Sequence, residues 1–176
     1  MLLRPLLASD APALYAIFSD PQVTRYTSGG AWQSLDKADD MVVRYTNGLV
    51  SKDAIGLGIV HLQSDVVIGT CSLFHLDEQC RRAEIGYILS RASWGQAYMA
   101  EALAALIQFG FDELNLHRIE ADIDPRNTAS LSSVERQGFI KEGYLRERWI
   151  VDGEISDTVL FGLLRSDWQA RPNSTP

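Results

Sequence analysis

The sequence predicts one mixed α/β domain (α+β) in which a mostly antiparallel sheet is flanked by helices. Its 176 residues fit a single domain, and its composition of 46% hydrophobic and 22% charged residues is close to globular averages. The spacing of apolar residues changes several times between a helical and an extended period, with no linker between the segments. The predicted order is strand, two helices, three strands, helix, strand, helix and two strands, which is typical of one mixed domain.

The N-terminal half is predicted to contain an edge strand at residues 1–7, helices at 9–20 and 34–50, and a hairpin whose strands are at 54–63 and 66–76. Ser9 is a capping residue, and Pro12 suits the first turn of the helix that follows. Ser34 caps the second helix in the same way. Because Ser64-Asp65 separates two segments rich in β-branched residues, we expect those segments to pair.

The C-terminal half is predicted to contain strands at residues 82–90, 117–124, 139–151 and 154–164. It is also predicted to contain a long helix at residues 97–114 and a short helix that ends at residue 137. The alternation of Ile119, Ala121 and Ile123 with charged residues predicts a half-buried strand. Asp152-Gly153 is a strong signal for a hairpin turn. The domain would therefore cover residues 1–168, with 169–176 as a frayed tail.

Charge and composition exclude several classes of function. The net charge of −7 argues against a protein that binds the nucleic-acid backbone, and it is compatible with a cationic acceptor. The apolar segments are too short to span a bilayer, and no secretory signal stands at the start, so we expect a cytoplasmic protein without a membrane partner. Cys71, Cys80 and the three histidines have no metal-ligand spacing, so no metal site is expected.

The segment with the most chemical information is the strand at 82–90, the turn of small residues that follows it, and the long helix after the turn. The first amides of a helix have no partner within the helix, and together with the helix dipole they favour an anion. Gly95, Ala97 and Ala100 would let a diphosphate approach the backbone. An ordinary helix start remains the alternative. No P-loop or dinucleotide-binding glycine motif is present.

Three motifs in the expected order carry a resemblance to a known family. Glu84-Ile85-Gly86-Tyr87 followed by residues 94–102 resembles the coenzyme A motif of GNAT N-acetyltransferases, and it is most similar to their ribosomal-protein N-terminal acetyltransferase (RimJ/RimL-like) branch. Residues 125–130 with Gly138-Phe139 resemble the Asn–Ser helix of that family. Asp157 resembles a residue of its last strand pair, and the resemblance covers residues 1–168.

The resemblance implies a GNAT fold with acetyl-CoA as the acetyl donor. It implies a sheet that splays open between strands 82–90 and 117–124, with the donor in the gap. The implied cofactor-binding residues form the edge of the first strand, the turn with the helix start, and the Asn–Ser helix: Ile88, Leu89, Ser90, Gly95, Gln96, Ala97, Tyr98, Met99, Ala100, Asn127 and Ser130. A homodimer is also compatible with the resemblance.

The sequence departs from the family pattern at three positions. Ala97 occupies a position that is usually glycine; alanine is small enough to be tolerated there if its φ is negative, which implies a modest change in the loop and not a loss of binding. Val134 replaces the tyrosine that many relatives use to protonate the leaving thiolate, and the resemblance gives that role to Ser130. Trp149 occupies the position of a glutamate in the ribosomal branch, and Glu147 is two residues earlier, so it would face the same side of a regular strand.

These residues suggest a reaction in which a carboxylate takes a proton from an amine that attacks the thioester. Glu84 is the first candidate for the base and Glu147 the second, and each could instead be an ion-paired surface residue beside arginines. The acceptor pocket is expected to be lined by Tyr26, Trp32, Phe74 and His75. The favoured acceptor is a protein N-terminus, because the resemblance is to that branch. A small amine (an amino acid, polyamine or aminoglycoside) and a non-catalytic CoA-binding domain remain alternatives.

Overall fold

The computed structural model describes residues 1–51 and 53–171 of the chain. The described residues form seven strands and six α-helices: β1 (Leu2–Arg4), α1 (Ala11–Phe18), α2 (Pro21–Thr24), α3 (Asp36–Ser51), β2 (Ile55–His61), β3 (Val66–Asp77), β4 (Arg82–Leu89), α4 (Tyr98–Asp112), β5 (Arg118–Ile123), α5 (Thr128–Arg136), β6 (Ile140–Val151), β7 (Glu154–Leu164) and α6 (Arg165–Ala170). The predicted fold class is confirmed. The short helices α2 and α6 were not predicted.

Both ends of the domain differ from the prediction for a local reason. β1 ends at Arg4 because the Asp10 carboxylate accepts hydrogen bonds from the Arg4 guanidinium, at 2.7 and 2.9 Å, and from the Leu7 amide at 2.7 Å, which turns the chain away from the sheet. The predicted boundary at 168 falls inside α6. Arg171 hydrogen-bonds the carbonyls of Arg136 and Gln137. The remainder of the predicted tail, residues 172–176, lies outside the described residues.

The strands form one sheet in the order β1-β2-β3-β4-β5-β7-β6. Every neighbouring pair is antiparallel except β4 and β5, which are parallel. These two strands pair over only three positions, from Arg82↔Arg118 to Glu84↔Glu120. Beyond Glu84, β4 remains paired with β3 up to Leu89, but it has no register with β5. The sheet therefore opens into a fork at Glu84, as the resemblance implied.

Apolar side chains cover both faces of the sheet. Adjacent residues of a strand point to opposite faces. Leu89 accordingly belongs to the larger cluster, which includes Leu103, Leu106 and Phe111 of α4, whereas Ile88 belongs to a second cluster with residues of α1 and α3. The larger cluster also contains residues of β5 and β7 and so spans both arms of the fork, whereas the second cluster contains buried residues of the β4 arm.

Candidate active site

The fork opens into a cleft of about 1500 Å³. It is lined by the loop between α2 and α3, by residues of α3, β3, β4 and β5, by the start of α5 and by the β6–β7 hairpin. All four residues predicted for the acceptor pocket line it, namely Tyr26, Trp32, Phe74 and His75. Trp32 is held there by stacking on Phe18, with ring centroids 4.3 Å apart. Of the predicted cofactor residues, Ile88, Asn127 and Ser130 line this cleft.

The other predicted cofactor residues lie on the end of β4 and on the turn that leads into α4. The Trp94 indole donates a hydrogen bond of 2.9 Å to the Leu89 carbonyl, which ties this turn to the end of β4. Within residues 1–51 and 53–171, no acceptor receives a hydrogen bond from the backbone amides of 95–100. Since Gly95, Gln96 and Ala97 are exposed as well, the start of α4 has the geometry of an anion site.

Ala97 does not have the negative φ that was the condition for tolerating alanine at this position. Ala97 has a φ of 62°, in the left-handed region, and Gly95 has a φ of 72°. These two positive φ values turn the backbone sharply into the helix. Alanine itself gives no signal for this conformation, because it rarely adopts it, but the family's usual glycine at this position does.

Ser90, which the resemblance names as a cofactor-binding residue, already has hydrogen-bond partners within the protein. Its amide donates to the Ile68 carbonyl at 2.8 Å, and its hydroxyl lies 2.8 Å from that of Ser93. Successive residues of a strand direct their amides to opposite sides. The amides of Leu89 and Tyr87 therefore face the open side of the fork.

On the α5 side of the cleft, Asn127 and Ser130 lie close to Tyr87. The Asn127 side chain caps α5 by accepting a hydrogen bond of 3.2 Å from the Ser130 amide. The Tyr87 hydroxyl donates to the Ser130 carbonyl at 3.2 Å, and burial raises the pKa of Tyr87 to about 12. Val134 is fully buried in the core and offers no proton donor. The Tyr87 phenol and the Ser130 hydroxyl are therefore the groups of this region that could donate a proton.

Glu84 lies at the apex of the fork, where the last β4–β5 pair is made. Its Oε2 is 3.2 Å from Nδ1 of His75, whose side chain is 74% exposed, whereas that of Glu84 is 26% exposed. Burial raises the pKa of Glu84 above its ordinary value, the neighbouring carboxylates Asp122 and Glu120 raise it further, and His75 opposes the rise. A carboxylate with this environment can accept a proton inside the cleft.

Glu147 does not line the cleft. A bulge in β6 interrupts the alternation on which that prediction rested: Leu145 pairs with Thr158 and Trp149 pairs with Ser156. Glu147 has a φ of 52° and is exposed. Leu145, Arg148 and Trp149 line the cleft instead.

The charged residues of β5 were not among the predicted site residues. Its alternation already placed Glu120 and Asp122 on one side of the strand, and that side lines the cleft. Asp122 is almost buried and accepts hydrogen bonds from Trp149 Nε1, at 3.0 Å, and from the Thr158 hydroxyl. The signal was therefore present as a polar strand face, but its contacts with β6 and β7 were not predictable.

Most carboxylates of the cleft are neutralised by arginine. The pairs within 4.0 Å are Glu120–Arg82, Glu120–Arg118, Glu142–Arg118, Asp122–Arg148, Asp124–Arg126 and Glu154–Arg126. Among the described residues, the lining carboxylates without a lysine or arginine at this distance are Glu84 and Asp152, and Asp152 lies in the exposed turn of the β6–β7 hairpin. The interior of the cleft therefore offers one carboxylate to a cation.

The described residues contain no group of three or more His, Cys, Asp or Glu side chains arranged to hold a metal ion. They also contain no helix with the length and apolar character needed to cross a membrane.

Known proteins resemble this chain over most of its length. A profile of the family described as "Acetyltransferase (GNAT) domain" matches residues 1–140. The uncharacterized N-acetyltransferase p20 of Bacillus licheniformis is 36% identical over 168 residues, which cover 96% of this chain and 94% of that protein. The Escherichia coli (strain K12) ribosomal protein uS5-alanine N-acetyltransferase is 37% identical over 84 residues, 48% of this chain and 43% of that one.

A solved structure shows the same fold. The spermidine N-acetyltransferase from Vibrio cholerae, crystallised in complex with CoA and spermine, superposes with a TM-score of 0.84 at 21% identity, covering 96% of this chain and 97% of that chain. At this identity the likeness concerns the fold and leaves the acceptor open.

Proposed function

Because the chain belongs to the acetyltransferase (GNAT) family, we propose that it transfers the acetyl group of acetyl-CoA to the N-terminal amine of a protein. Acetyltransferase activity on an amine follows from the family. The acceptor and the roles of individual residues are the parts that we propose. The observation that carries the choice of acceptor is the charge of the cleft, in which Glu84 is the one interior carboxylate without an arginine partner among the described residues.

One carboxylate without an arginine or lysine partner suits an acceptor with one ammonium group. A polyamine carries several cations, and each would need a carboxylate to replace its hydration on entering the cleft. Here Glu120, Asp122 and Glu142 already have arginine partners. A peptide N-terminus brings a single ammonium followed by a neutral backbone. The uS5-alanine N-acetyltransferase, a relative that by its name acts on alanine in a ribosomal protein, supports the same choice.

Acetyl-CoA fits the exposed backbone described above and would supply an activated acyl group as a thioester. The amides of 95–100 and the positive end of the α4 dipole would hold its diphosphate. The amides of Tyr87 and Leu89, on the open edge of β4, would hydrogen-bond its pantetheine arm. Asn127 and Ser130 would contact the end that carries the sulfur.

Glu84 would then act as the general base. An amine is mostly protonated at neutral pH and must lose a proton before it attacks the carbonyl. Glu84 could take that proton, directly or through a water molecule, because its raised pKa brings it nearer to that of the amine. The leaving thiolate would receive a proton from the hydroxyl of Ser130 or of Tyr87, which is protonated at neutral pH because burial raises the pKa of Tyr87 to about 12.

The test is to measure thiol release from acetyl-CoA with a panel of acceptors, using Glu84→Gln and Glu147→Gln as a matched pair. The panel contains peptides with a free N-terminal alanine or serine, the same peptides with a blocked N-terminus, spermidine, an aminoglycoside and an amino acid amide. We expect the free peptides to be the best acceptors and the blocked ones to be inert. Glu84→Gln should lower kcat by about 100-fold or more with little change in acetyl-CoA affinity, as is typical for the loss of a general base.

Glu147→Gln makes the same chemical change outside the cleft and should keep wild-type turnover. Equal turnover by wild type and Glu84→Gln would remove Glu84 as the base. A higher kcat/KM for spermidine than for any peptide would overturn the proposed acceptor, and binding of acetyl-CoA without turnover of any acceptor would favour a non-catalytic domain.

A further inference from the structure

The wall of the cleft opposite β4 depends on an irregular stretch of β6. Between the pairs Leu145↔Thr158 and Trp149↔Ser156, three residues of β6 face the single residue Asp157 of β7. Such a bulge redirects the side chains of the strand that carries it. Here it moves Glu147 out of the cleft and brings Arg148 in, beside Trp149.

The Asp157 carboxylate holds this bulge at two points. One oxygen accepts a hydrogen bond of 2.7 Å from the backbone amide of Glu147, which stands in the left-handed conformation at the centre of the bulge. The other oxygen accepts a hydrogen bond from the Tyr144 hydroxyl. Asp157 itself does not line the cleft. Its contacts therefore fix the shape of β6 from outside the site.

The bulge delivers two side chains to Asp122 of β5, which belongs to the same arm of the fork as β6. Trp149 Nε1 donates to Asp122 Oδ1 at 3.0 Å, and Arg148 Nε is 3.9 Å from Asp122 Oδ2. The Arg148 guanidinium also lies over the Trp149 ring, 5.6 Å from its centroid. These contacts make one wall out of β5 and β6, and they give the Asp122 carboxylate partners within the protein.

We propose that Asp157 is a positioning residue for the acceptor side of the cleft: by fixing the bulge in β6 it places Trp149 and Arg148 against Asp122. This wall is an acceptor wall only if the proposed function is correct, whereas the placement of Trp149 by Asp157 does not depend on it. The two statements therefore need separate measurements.

The placement is tested by the indole N–H signals of the four tryptophans in a ¹⁵N-labelled sample. The signal of Trp149 is identified as the one missing from Trp149→Phe. In Asp157→Ala we expect it to shift and to exchange faster with solvent, because Trp149 Nε1 loses its fixed position against Asp122. Asp157→Asn keeps an oxygen for the Glu147 amide and an NH₂ group that can donate to the Tyr144 oxygen, so it should return the signal close to the wild-type position.

Tyr144→Phe removes one of the two contacts and should shift the Trp149 signal in the same direction as Asp157→Ala, but less. If Asp157→Ala does not fold, Tyr144→Phe decides. A Trp149 signal with wild-type shift and exchange rate in the folded variants would overturn the proposal.

The consequence for the reaction is tested by steady-state kinetics with the best acceptor of the panel. We expect Asp157→Ala to raise the acceptor KM about tenfold, equivalent to about 1.4 kcal/mol, while the KM for acetyl-CoA stays unchanged. Asp157→Asn should restore most of the loss. A merely structural role would lower the melting temperature and the active fraction without moving the acceptor KM, and that result would overturn the acceptor part. If wild type turns over no acceptor, the proposed function fails, and the indole signals still decide whether Asp157 places Trp149.

Discussion

Replacing Ala97 by glycine should stabilise the folded protein, although glycine in the interior of a helix is destabilising relative to alanine. Ala97 has a φ of 62°. This conformation costs an L-residue about 1–2 kcal/mol because its Cβ crowds the backbone. Glycine relieves that strain but gives the unfolded chain more freedom, which offsets about 0.4–1 kcal/mol. The net gain for Ala97→Gly is therefore about 1 kcal/mol in the free energy of unfolding.

Gly95→Ala is the matched variant in the same turn. Gly95 has a φ of 72°, and a Cβ built there meets no atom within 4 Å. Its replacement therefore tests the backbone conformation without a steric clash, and the loss should be about 1 kcal/mol by the same reasoning. Ala100→Gly, inside the first turn of α4, should also lose about 1 kcal/mol, because glycine is a poor helix former.

Urea denaturation of the four proteins, followed by circular dichroism, gives the free energies of unfolding. For a chain of this size, 1 kcal/mol corresponds to a shift of about 2–4 °C in melting temperature, which gives an independent reading. The reasoning is refuted if Ala97→Gly is as unstable as Ala100→Gly, since Ala97 would then behave as an ordinary helical alanine. It is equally refuted if Gly95→Ala is neutral.

Two other perturbations test the electrostatics of the site and of the N-terminus. His75→Ala removes the hydrogen bond that lowers the pKa of Glu84, so the pKa of Glu84 should rise further. Because the base must be deprotonated, the acid limb of the pH profile of kcat/KM should then move to higher pH. A limb that stays in place or moves to lower pH would contradict the assignment of Glu84 as the base. Asp10→Asn weakens the contacts of the nearly buried Asp10 with Arg4 and the Leu7 amide and should cost about 2 kcal/mol at neutral pH by urea denaturation. Arg4 lowers the pKa of Asp10 in the folded state, so this stabilisation is present above the pKa of Asp10 in the unfolded chain and is lost as the pH falls through its pKa in the folded protein. The difference in the free energy of unfolding between wild type and Asp10→Asn should therefore shrink in acid. A difference that stays constant would contradict the pairing.

The order of elements was predictable because each change of period in the sequence reflects burial. The alternation of Ile119, Ala121 and Ile123 predicted β5, and all three side chains are buried. Asp152-Gly153 predicted the hairpin of β6 and β7. The position of Glu84 at the fork follows from the resemblance, since the alternation in β4 does not by itself say where pairing with β5 ends. The period of the apolar residues does not predict local departures from regular backbone geometry, such as the positive φ of Ala97.

The four residues predicted for the acceptor pocket line the cleft, but the part of its wall formed by β6 could not be predicted for the same reason, and here the departure changes the chemistry. In a regular β6, Glu147 would share the face of Leu145 and Trp149, and it would add a negative charge to the cleft. The bulge places Arg148 in the lining instead, so the local charge changes sign. The carboxylate of Asp157, ten residues after Glu147, holds this bulge in place. The conformation of β6 thus determines how many carboxylates the cleft offers to a cation. The proposed preference for a single amine over a polyamine therefore rests on the backbone of β6 more than on the composition of the cleft.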